Sequence, residues 1–502
     1  MHNLRAGAMS RAMSTTLRTS DTHPLQIATI PSGGGKGQIG LTFCPGKKQP
    51  HAMTGGWDRS LGVDLDAVEQ WGAAALISLI EPHELTSLGV PTLGDEVAAR
   101  SMTWLHLPIA DVSTPGPDFE ASWAEHGDGI RARLRDGFNV LVHCKGGLGR
   151  AGMIAAKLMV ELGLNPEDAV RNVRAARPGA IETPSQHSYV LAQRVAPEQE
   201  PARSADAIRD RALGALIGLA VGDAVGTTLE FKARDSDQPL TDMIGGGPFN
   251  MKAGEWTDDT SMALALADSL IADRNLDPAD LMERFWAWRE RGEYSCGCND
   301  IGITVSGSLS RWRRTGDAFA GSTDPNSAGN GSLMRLSPVA LAHWNDRAML
   351  ADVAARQSRT THGAPEAVSA CVGYADILAD AIAGMPRSGV MAPRQGEFAG
   401  KVADIMAGSW RGLRRNQIQS SGYVAHSLEA ALWAVGRTAD FRSAVLLAAN
   451  LGGDADTTAA IAGQLAGALY GLRGIPKTWL EKLAWRDRIL DMGERLVAPT
   501  LN

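Results

Sequence analysis

With 502 residues, the chain exceeds the size at which a single hydrophobic core keeps growing, so we expect two domains. Its hydrophobic fraction of 44% and charged fraction of 21% are typical of a soluble globular protein, and its net charge of -7 argues against general nucleic-acid binding. The five cysteines, an odd number, indicate a reducing compartment, and no apolar run reaches the ~20 residues that span a bilayer. We therefore expect a cytoplasmic protein that contacts no membrane.

The first half of the chain is predicted to be an α/β domain that follows a short extension. Residues 1–24 contain no apolar signal core, and we assign them to a disordered extension. Within residues 25–195, buried strands such as 74–80 and 137–143 alternate with helices such as 152–162. Alternation of this kind is typical of a mostly parallel sheet.

The second half is predicted to be helical throughout. Residues 196–206 are polar, contain prolines and lack periodicity, which predicts a linker. Within residues 207–496, Ala- and Leu-rich stretches dominate, so we predict an all-α domain with its functional residues in interhelical loops. The helical stretches are 211–225, 260–273, 279–291, 365–383, 425–436, 442–449 and 457–470.

A glycine-containing loop after the strand 137–143 carries the first candidate site. It ends at Arg150 and precedes a helix, so its backbone N–H groups can converge on an anion at the helix N-terminus. The same donors would stabilise Cys144 as a nucleophilic thiolate, and Arg150 could hold two phosphate oxygens. Asp111, on a loop after a strand-like run, is the best candidate for the acid that protonates the leaving alkoxide. The further phosphate-binding candidates are Lys145, Gly146, Gly147 and Gly149.

A simpler alternative is a buried structural cysteine beside a chance arginine, but the strand, glycines and helix together argue against it. The loop and the segments 107–111 and 177–183 resemble the cysteine-dependent tyrosine and dual-specificity phosphatases, in particular the kinase-associated, cyclin-dependent kinase inhibitor 3-like branch. The resemblance implies hydrolysis of a phosphorylated protein or a small phosphate ester through a phosphocysteine intermediate. Ala151 stands where that family usually has a Ser or Thr whose hydroxyl assists turnover. A module that binds phosphate without turnover therefore stays open as an alternative.

Two acidic clusters in the second half carry the second candidate site. The segments 255–260 and 452–458 each place two aspartates beside threonines, and each precedes an Ala-rich helix. One such group could simply cap its helix. Two similar groups would leave like charges crowded unless cations neutralised them, and oxygen ligands without His or Cys suit Mg²⁺ or Mn²⁺. A fold that unites the clusters could therefore build a two-metal site.

These clusters, together with the segments 218–230, 329–335 and 361–362, resemble the ADP-ribosylglycohydrolase family, typified by dinitrogenase reductase-activating glycohydrolase, over nearly the whole helical half. The resemblance implies removal of ADP-ribose from a modified protein or another ADP-ribose conjugate, with two divalent cations, Mg²⁺ or Mn²⁺, as cofactors. Glu230 corresponds to the flexible-loop glutamate of that family, and Asp300 to an acid proposed there as general base. The implied cleft residues are Asn330, Gly331, Ser332 and His362, and the implied metal ligands are Thr257, Asp258, Asp259, Asp454, Asp456 and Thr457.

We therefore predict a bifunctional hydrolase with an N-terminal α/β cysteine-phosphatase fold and a C-terminal all-α ADP-ribosylglycohydrolase fold. The competing interpretation of the helical half is an ADP-ribose-binding module without turnover, and the intact Glu230 and ligand pattern argue against it. The acceptor bond stays open between arginine, serine, a nucleic-acid base and an acetyl ester. The fusion suggests one target that carries both phosphate and ADP-ribose, or ADP-ribose phosphorylated on its distal ribose.

Overall fold

The computed structural model describes residues 17–33, 36–52, 55–297 and 300–501, and the structural statements below concern those residues. The chain divides into two compact units, and the fold classes predicted for the two halves are confirmed. The first unit consists of Met1–Ile30, Ile39–Ala124 and Val140–Val195, and the second of Pro31–Gln38, Glu125–Asn139 and Ala196–Asn502.

Strands and helices alternate in the first half, as the sequence predicts. The strands are β1 (Ala28–Pro31), β2 (Gln38–Phe43), β3 (Lys48–Gln49), β4 (Trp57–Asp58), β5 (Ala73–Ser78), β6 (Thr103–His106) and β7 (Asn139–Cys144). The helices are α1 (Leu61–Gln70), α2 (Pro82–Ser87), α3 (Leu93–Ala99), α4 (Pro117–Arg135), α5 (Gly149–Glu161), α6 (Pro166–Ala176) and α7 (Pro184–Leu191).

In the main sheet, β7 lies between β2 and β5. The strand order of this sheet is β1-β2-β7-β5-β6, with β2 parallel to β7 and β5 parallel to β6. The register pairs Phe43 with Cys144, and Ser78 with His106. Parallel strands end at one edge of a sheet, so the segments that follow β2, β5, β6 and β7 meet at the same edge.

Part of the segment predicted as a disordered extension is ordered. The backbone N–H of Arg18 donates to the carbonyl of Gly56 at 2.9 Å. Ser20 is buried, and its hydroxyl donates to Asp64 at 2.9 Å. The residues from 17 to 24 therefore pack on the segment that contains β4 and α1, whereas residues 1–16 lie outside the described part of the chain.

The second half is built from helices. They are α8 (Ala205–Gly226), α9 (Asp258–Ala272), α10 (Pro278–Arg291), α11 (Ile303–Thr315), α12 (Ser337–His343), α13 (Arg347–Thr361), α14 (Pro365–Ala383), α15 (Arg387–Val390), α16 (Gly400–Met406), α17 (Val424–Arg437), α18 (Phe441–Ala449), α19 (Ala455–Tyr470), α20 (Lys477–Lys482) and α21 (Arg486–Val497). The apolar stretch Ala205–Leu229 is long enough to cross a membrane, and its most apolar window is completely buried within the protein.

Close packing of α8 on α19 brings the end of α8 to the second acidic cluster. A β-carbon at Gly218 would lie 2.2 Å from the carbonyl oxygen of Gly463, and one at Gly222 would lie 2.1 Å from that of Ala459. Only glycine permits backbones to approach so closely. This approach juxtaposes the C-terminal part of α8 with the N-terminal turn of α19, where Asp456 lies.

Candidate active sites

The glycine loop of the first unit wraps tightly around Cys144. The thiol is buried at the end of β7, and the backbone N–H of Gly147 donates to its sulfur at 3.2 Å. Gly147 has a φ of +69°, and a β-carbon there would lie 2.4 Å from the carbonyl carbon of Thr42. At Gly149, a β-carbon would lie 2.3 Å from a carboxylate oxygen of Glu182. Gly147 therefore requires glycine because of its φ and its backbone neighbours, whereas a side chain at Gly149 would have to displace that of Glu182. The loop can direct its N–H groups inward.

Arg150 is held rigidly beside this loop. It lies in the first turn of α5 and is buried. Its guanidinium donates to both carboxylate oxygens of Glu84, at 2.6 and 3.0 Å, and to the carbonyl of Ile109 at 2.9 Å. It also pairs with the half-exposed Asp111 at 2.9 Å, which brings this candidate acid to the loop.

Glu84 is a functional residue that the sequence reasoning missed. It belongs to the capping box of α2, which follows β5. Burial alone would raise the pKa of Glu84, but the Arg150 guanidinium and a backbone N–H hold this pKa below its usual value. Glu84 therefore stays ionised and orients Arg150. An acid near a helix start is too common a signal to identify such a partner in advance.

His143 supports the loop as a neutral side chain. It is fully buried, which lowers its pKa to about 3, and its Nε2 lies 2.6 Å from the hydroxyl of Ser78. Ser78 in turn accepts a hydrogen bond from the indole of Trp104 at 2.8 Å. An indole N–H can only donate, so the Ser78 proton is available to His143.

The remaining predicted loop residues lie at its rim or beneath it. Gly146 is exposed and Lys145 partly exposed, so both face the space in front of the loop. Ala151 is fully buried in the first turn of α5. The hydroxyl that the resemblance leads one to expect after the arginine is therefore absent from a position next to the loop.

In the second unit, the two acidic clusters form one buried site. Carboxylate oxygens of Asp223, Asp259 and Asp456 all lie within 4.8 Å of one another. The hydroxyl of Thr257 lies 2.9 Å from Asp223 and 3.2 Å from each of the other two carboxylates. The hydroxyl of Thr457 lies 3.5 Å from Asp259. Predicted ligands from both clusters thus converge at the N-termini of α9 and α19.

Asp223 is a second residue that the sequence reasoning missed. It lies near the end of α8 and is completely buried. Its carboxylate accepts hydrogen bonds from the backbone N–H and the hydroxyl of Thr257, and from the same two groups of Thr260, at 2.7–3.0 Å. Asp223 therefore ties the first turn of α9 to α8 and orients the Thr257 hydroxyl. The sequence offered a signal, since Asp223 lies in the quoted segment 218–230.

The chemistry of this site fits divalent cations. One oxygen of Asp259 and one of Glu230 are buried without a hydrogen-bond partner among the described residues. Burial and the neighbouring carboxylates raise the pKa values of Asp258, Asp259 and Asp456 well above the usual range. Buried carboxylate and hydroxyl oxygens that crowd together are the ligand set of hard cations such as Mg²⁺ or Mn²⁺.

A cleft of about 700 Å³ opens over the acidic site. Thr257 and Asp259 lie buried and do not line it, and the Ser332 hydroxyl lies instead against Ser358 at 2.9 Å. Exposed Phe231 and Ile303 stand at the cleft as well. The predicted residues that line it are Glu230, Asp258, Asp300, Asn330, Gly331, His362, Asp454, Asp456 and Thr457.

Hydrogen bonds and close packing fix two of the cleft residues, Asn330 and His362. The Asn330 amide donates to Asp454 at 2.6 Å and to Ser427 at 2.8 Å. His362 is buried, and this burial together with the nearby Arg335 lowers its pKa to about 3. A β-carbon at Gly331 would lie 2.7 Å from the His362 ring, so only glycine leaves room for this ring. His362 can thus serve the cleft as a neutral side chain.

Comparison with known families assigns each half separately. A family model described as ADP-ribosylglycohydrolase matches residues 204–501, and a model described as "Swiss Army Knife protein, DSP-PTPase phosphatase domain" matches residues 50–190. The resemblances stated from the sequence are therefore confirmed for both halves.

Individual relatives agree with this division. The ADP-ribosylarginine hydrolase Tri1 of Pseudomonas putida (strain GB-1) is 44% identical over 327 residues, 65% of this chain and 86% of the relative. Cyclin-dependent kinase inhibitor 3 of Homo sapiens is 31% identical over 155 residues, 30% of this chain and 69% of the relative. A solved structure titled "ADP-ribosylglycohydrolase-related protein complex" is 39% identical, with a TM-score of 0.52, and covers 58% of this chain and 98% of its own.

Proposed function

Because the chain belongs to the ADP-ribosylglycohydrolase family, we propose that its helical half releases ADP-ribose from arginine side chains of a modified protein. The observation that carries this proposal is the convergence of Asp223, Asp259 and Asp456 beneath a cleft large enough for a nucleotide. The choice of arginine rests on the names of the relatives that are 44–45% identical, which are ADP-ribosylarginine hydrolases. The proposed setting is the cytoplasm.

The cleft residues supply the parts that hydrolysis of a ribosyl bond needs. Divalent cations, when bound by the threonine and aspartate oxygens, supply positive charge that orients the ribose hydroxyls and the attacking water. Asp300 lines the cleft and is proposed to accept the proton of that water. Glu230 also lines the cleft and is proposed to contact the substrate; in the absence of cations, burial together with nearby Asp300 and Asp454 raises its pKa to about 8. The carboxylates around the cleft stabilise the positive charge that develops on the ribose.

The test is release of ADP-ribose from arginine-ADP-ribosylated and serine-ADP-ribosylated proteins, each with Mn²⁺ or Mg²⁺ and each with chelator. We expect release from the arginine-linked protein alone, dependent on the cation, and loss of at least about 10³-fold in Asp456→Asn. Release from the serine-linked protein instead would overturn the choice of acceptor. Cation-independent release would overturn the proposed metal site.

For the first half we propose hydrolysis of phosphate esters through a phosphocysteine intermediate. The geometry that supports it is the Cys144 loop with Arg150 at its end and Asp111 within reach of Arg150. Cys144 attacks phosphorus, and Asp111 protonates the leaving oxygen. Phosphorylated proteins and small phosphate esters are both proposed substrates.

The alternative is a module that binds phosphate without turnover, and buried Ala151 favours it. Aryl phosphate hydrolysis by the full chain separates the two. Steady turnover that Cys144→Ser abolishes supports the phosphatase, whereas binding of a phosphate analogue without formation of any product supports the binding module.

A further inference from the structure

The two flanks of the Cys144 loop differ in charge. β7, which carries Cys144, lies between β2 and β5 in the sheet. Glu84 follows β5 and Asp111 follows β6, so both acids approach from that side, where they pair with Arg150. Lys47 follows β2 and approaches from the opposite side. Both acids that pair with Arg150 therefore come from the β5 and β6 side, whereas the residue that follows β2 is a cation.

Lys47 is a buried ammonium on the β2 side. The side chain is only 5% exposed, and its Nζ lies 4.7 Å from the ring centre of Phe43 and 4.8 Å from that of Trp57. Among the described residues, no carboxylate forms an ion pair with it. Its electrostatic neighbours are the thiols of Cys44 and Cys144 and two arginines. Burial, followed by these arginines, lowers its pKa to about 8, so an anionic ligand would stabilise its charge.

Arg177 adds a second cation on the same flank. Its guanidinium lies against the outer face of the loop, with Nε 3.4 Å from the carbonyl of Gly147 and Nη2 3.5 Å from that of Gly146. It interacts electrostatically with Lys47. A guanidinium has five N–H donors, so these contacts leave donors for a ligand. Within the described part of the chain, Arg177 forms no ion pair with a carboxylate.

A single phosphate does not need these cations, because the loop N–H groups and Arg150 already surround one phosphoryl group. We propose that the site takes phosphate esters that carry a second phosphate group, and that Lys47 and Arg177 bind this second group on the β2 flank. The proposal rests on the proposed phosphatase function and defines its substrate class. Lys47 and Arg177 would then determine specificity, while Cys144, Arg150 and Asp111 act on the reacting phosphate.

A different role for Lys47 would be to stabilise the negative charge of the Cys144 thiolate without contact with substrate. That role affects ligands with one and with two phosphates equally, because both need the same loop. A second-phosphate site affects only the ligands with two. The two roles are therefore separable by comparison of the two kinds of ligand.

The experiment is calorimetric titration of full-length Cys144→Ser with inorganic phosphate and with pyrophosphate, in the presence of chelator. We expect pyrophosphate to bind at least about tenfold more tightly, as one additional charge-assisted contact implies. Adding Lys47→Met, which removes the charge and leaves an unbranched apolar side chain beside the two rings, or Arg177→Gln should weaken pyrophosphate binding about tenfold and phosphate binding less than about threefold. Arg171→Gln is the matched control, since Arg171 is exposed and pairs with Asp168 on α6.

Equal affinities for the two anions, or equal weakening of both by Lys47→Met, would overturn the proposal. Binding does not require turnover, so the experiment separates this proposal from the proposed hydrolysis. If the chain prefers pyrophosphate but hydrolyses no phosphate ester, the result would support the second-phosphate site and overturn the proposed phosphatase activity.

Discussion

At the residue scale, Asp223 acts on the acidic site through Thr257. Its carboxylate accepts a hydrogen bond from the Thr257 hydroxyl at 2.9 Å, and this contact holds the hydroxyl oxygen 3.2 Å from Asp259 and from Asp456. In Asp223→Asn, an amide N–H₂ would face donors from Thr257 and Thr260. We expect Mn²⁺ to bind about 10–100-fold more weakly, because side chains that orient metal ligands typically contribute this much. Calorimetric titration with Mn²⁺ measures the effect.

The control for this variant is Asp206→Asn in the first turn of the same helix. Asp206 is exposed and pairs only loosely with Arg209, at 3.3 Å. Unchanged Mn²⁺ affinity in Asp223→Asn, with the control also unchanged, would contradict the positioning role.

Contiguous residues could be predicted from the sequence, and partners from distant segments could not. Asp454 and Asp456 stand two apart before a helix, so their spacing alone placed them at one helix N-terminus. Glu84 reaches Arg150 only because β5 and β7 end at one edge of the sheet. Lys47 follows β2, the strand on the other side of β7. Only the strand order reveals such neighbours.

At the scale of elements, the contact of α8 with α19 holds the acidic site together. A β-carbon at Gly218 would overlap the carbonyl of Gly463. Gly218→Ala should therefore force the helices apart, lower the free energy of unfolding by about 1–3 kcal/mol and weaken cation binding. Urea unfolding monitored by circular dichroism measures the first effect.

Gly307 provides the matched control for this substitution. It also lies inside a helix, α11, but a β-carbon there would meet only the end of the Arg311 side chain, at 3.5 Å. Gly307→Ala should raise the free energy of unfolding by about 0.5–1 kcal/mol, because alanine favours the helix. Similar destabilisation by both variants would show that close helix approach is not the cause.

The helices themselves were predictable because Ala- and Leu-rich runs dominate the second half. The packing of α8 on α19 could not be predicted. Glycines in a helical run lower its helix propensity, but they do not indicate which helix packs against them. The predicted helix 211–225 accordingly lies within α8, and 457–470 within α19. The structure shows that α8 meets α19 where Gly218 faces Gly463 and Gly222 faces Ala459.

For the molecule as a whole, the acidic site links stability to pH and to cations. The pKa values of Asp258, Asp259 and Asp456 lie well above their usual range in the folded state, mainly through burial. Without cations, these three carboxyl groups therefore bind more protons in the folded chain than in the unfolded chain, and their contribution to the free energy of unfolding falls as the pH rises above about 4. Cations bind the deprotonated carboxylates and reverse this loss.

We therefore expect Mn²⁺ to raise the Tm more at about pH 8 than at about pH 5. Scanning calorimetry with Mn²⁺ and with chelator measures both differences. In Asp456→Asn the rise should shrink at both pH values, because one ligand is gone. A rise of equal size at the two pH values in the unsubstituted chain would contradict the link.

Because an ADP-ribosylglycohydrolase domain and a DSP-PTPase domain share one chain, the proposed activities lead to a prediction for a protein substrate that carries both phosphate and arginine-linked ADP-ribose. Tethered sites act on one bound target at a high effective concentration, so the full chain should remove both groups faster than separate sites do. The comparison is an equimolar mixture of Cys144→Ser and Asp456→Asn chains, which holds the same number of each active site. At dilute enzyme we expect the unsubstituted chain to be about tenfold faster in forming the doubly unmodified product. Each variant alone should remove only one group, and equal rates for the mixture and the unsubstituted chain would mean that the two sites serve separate targets.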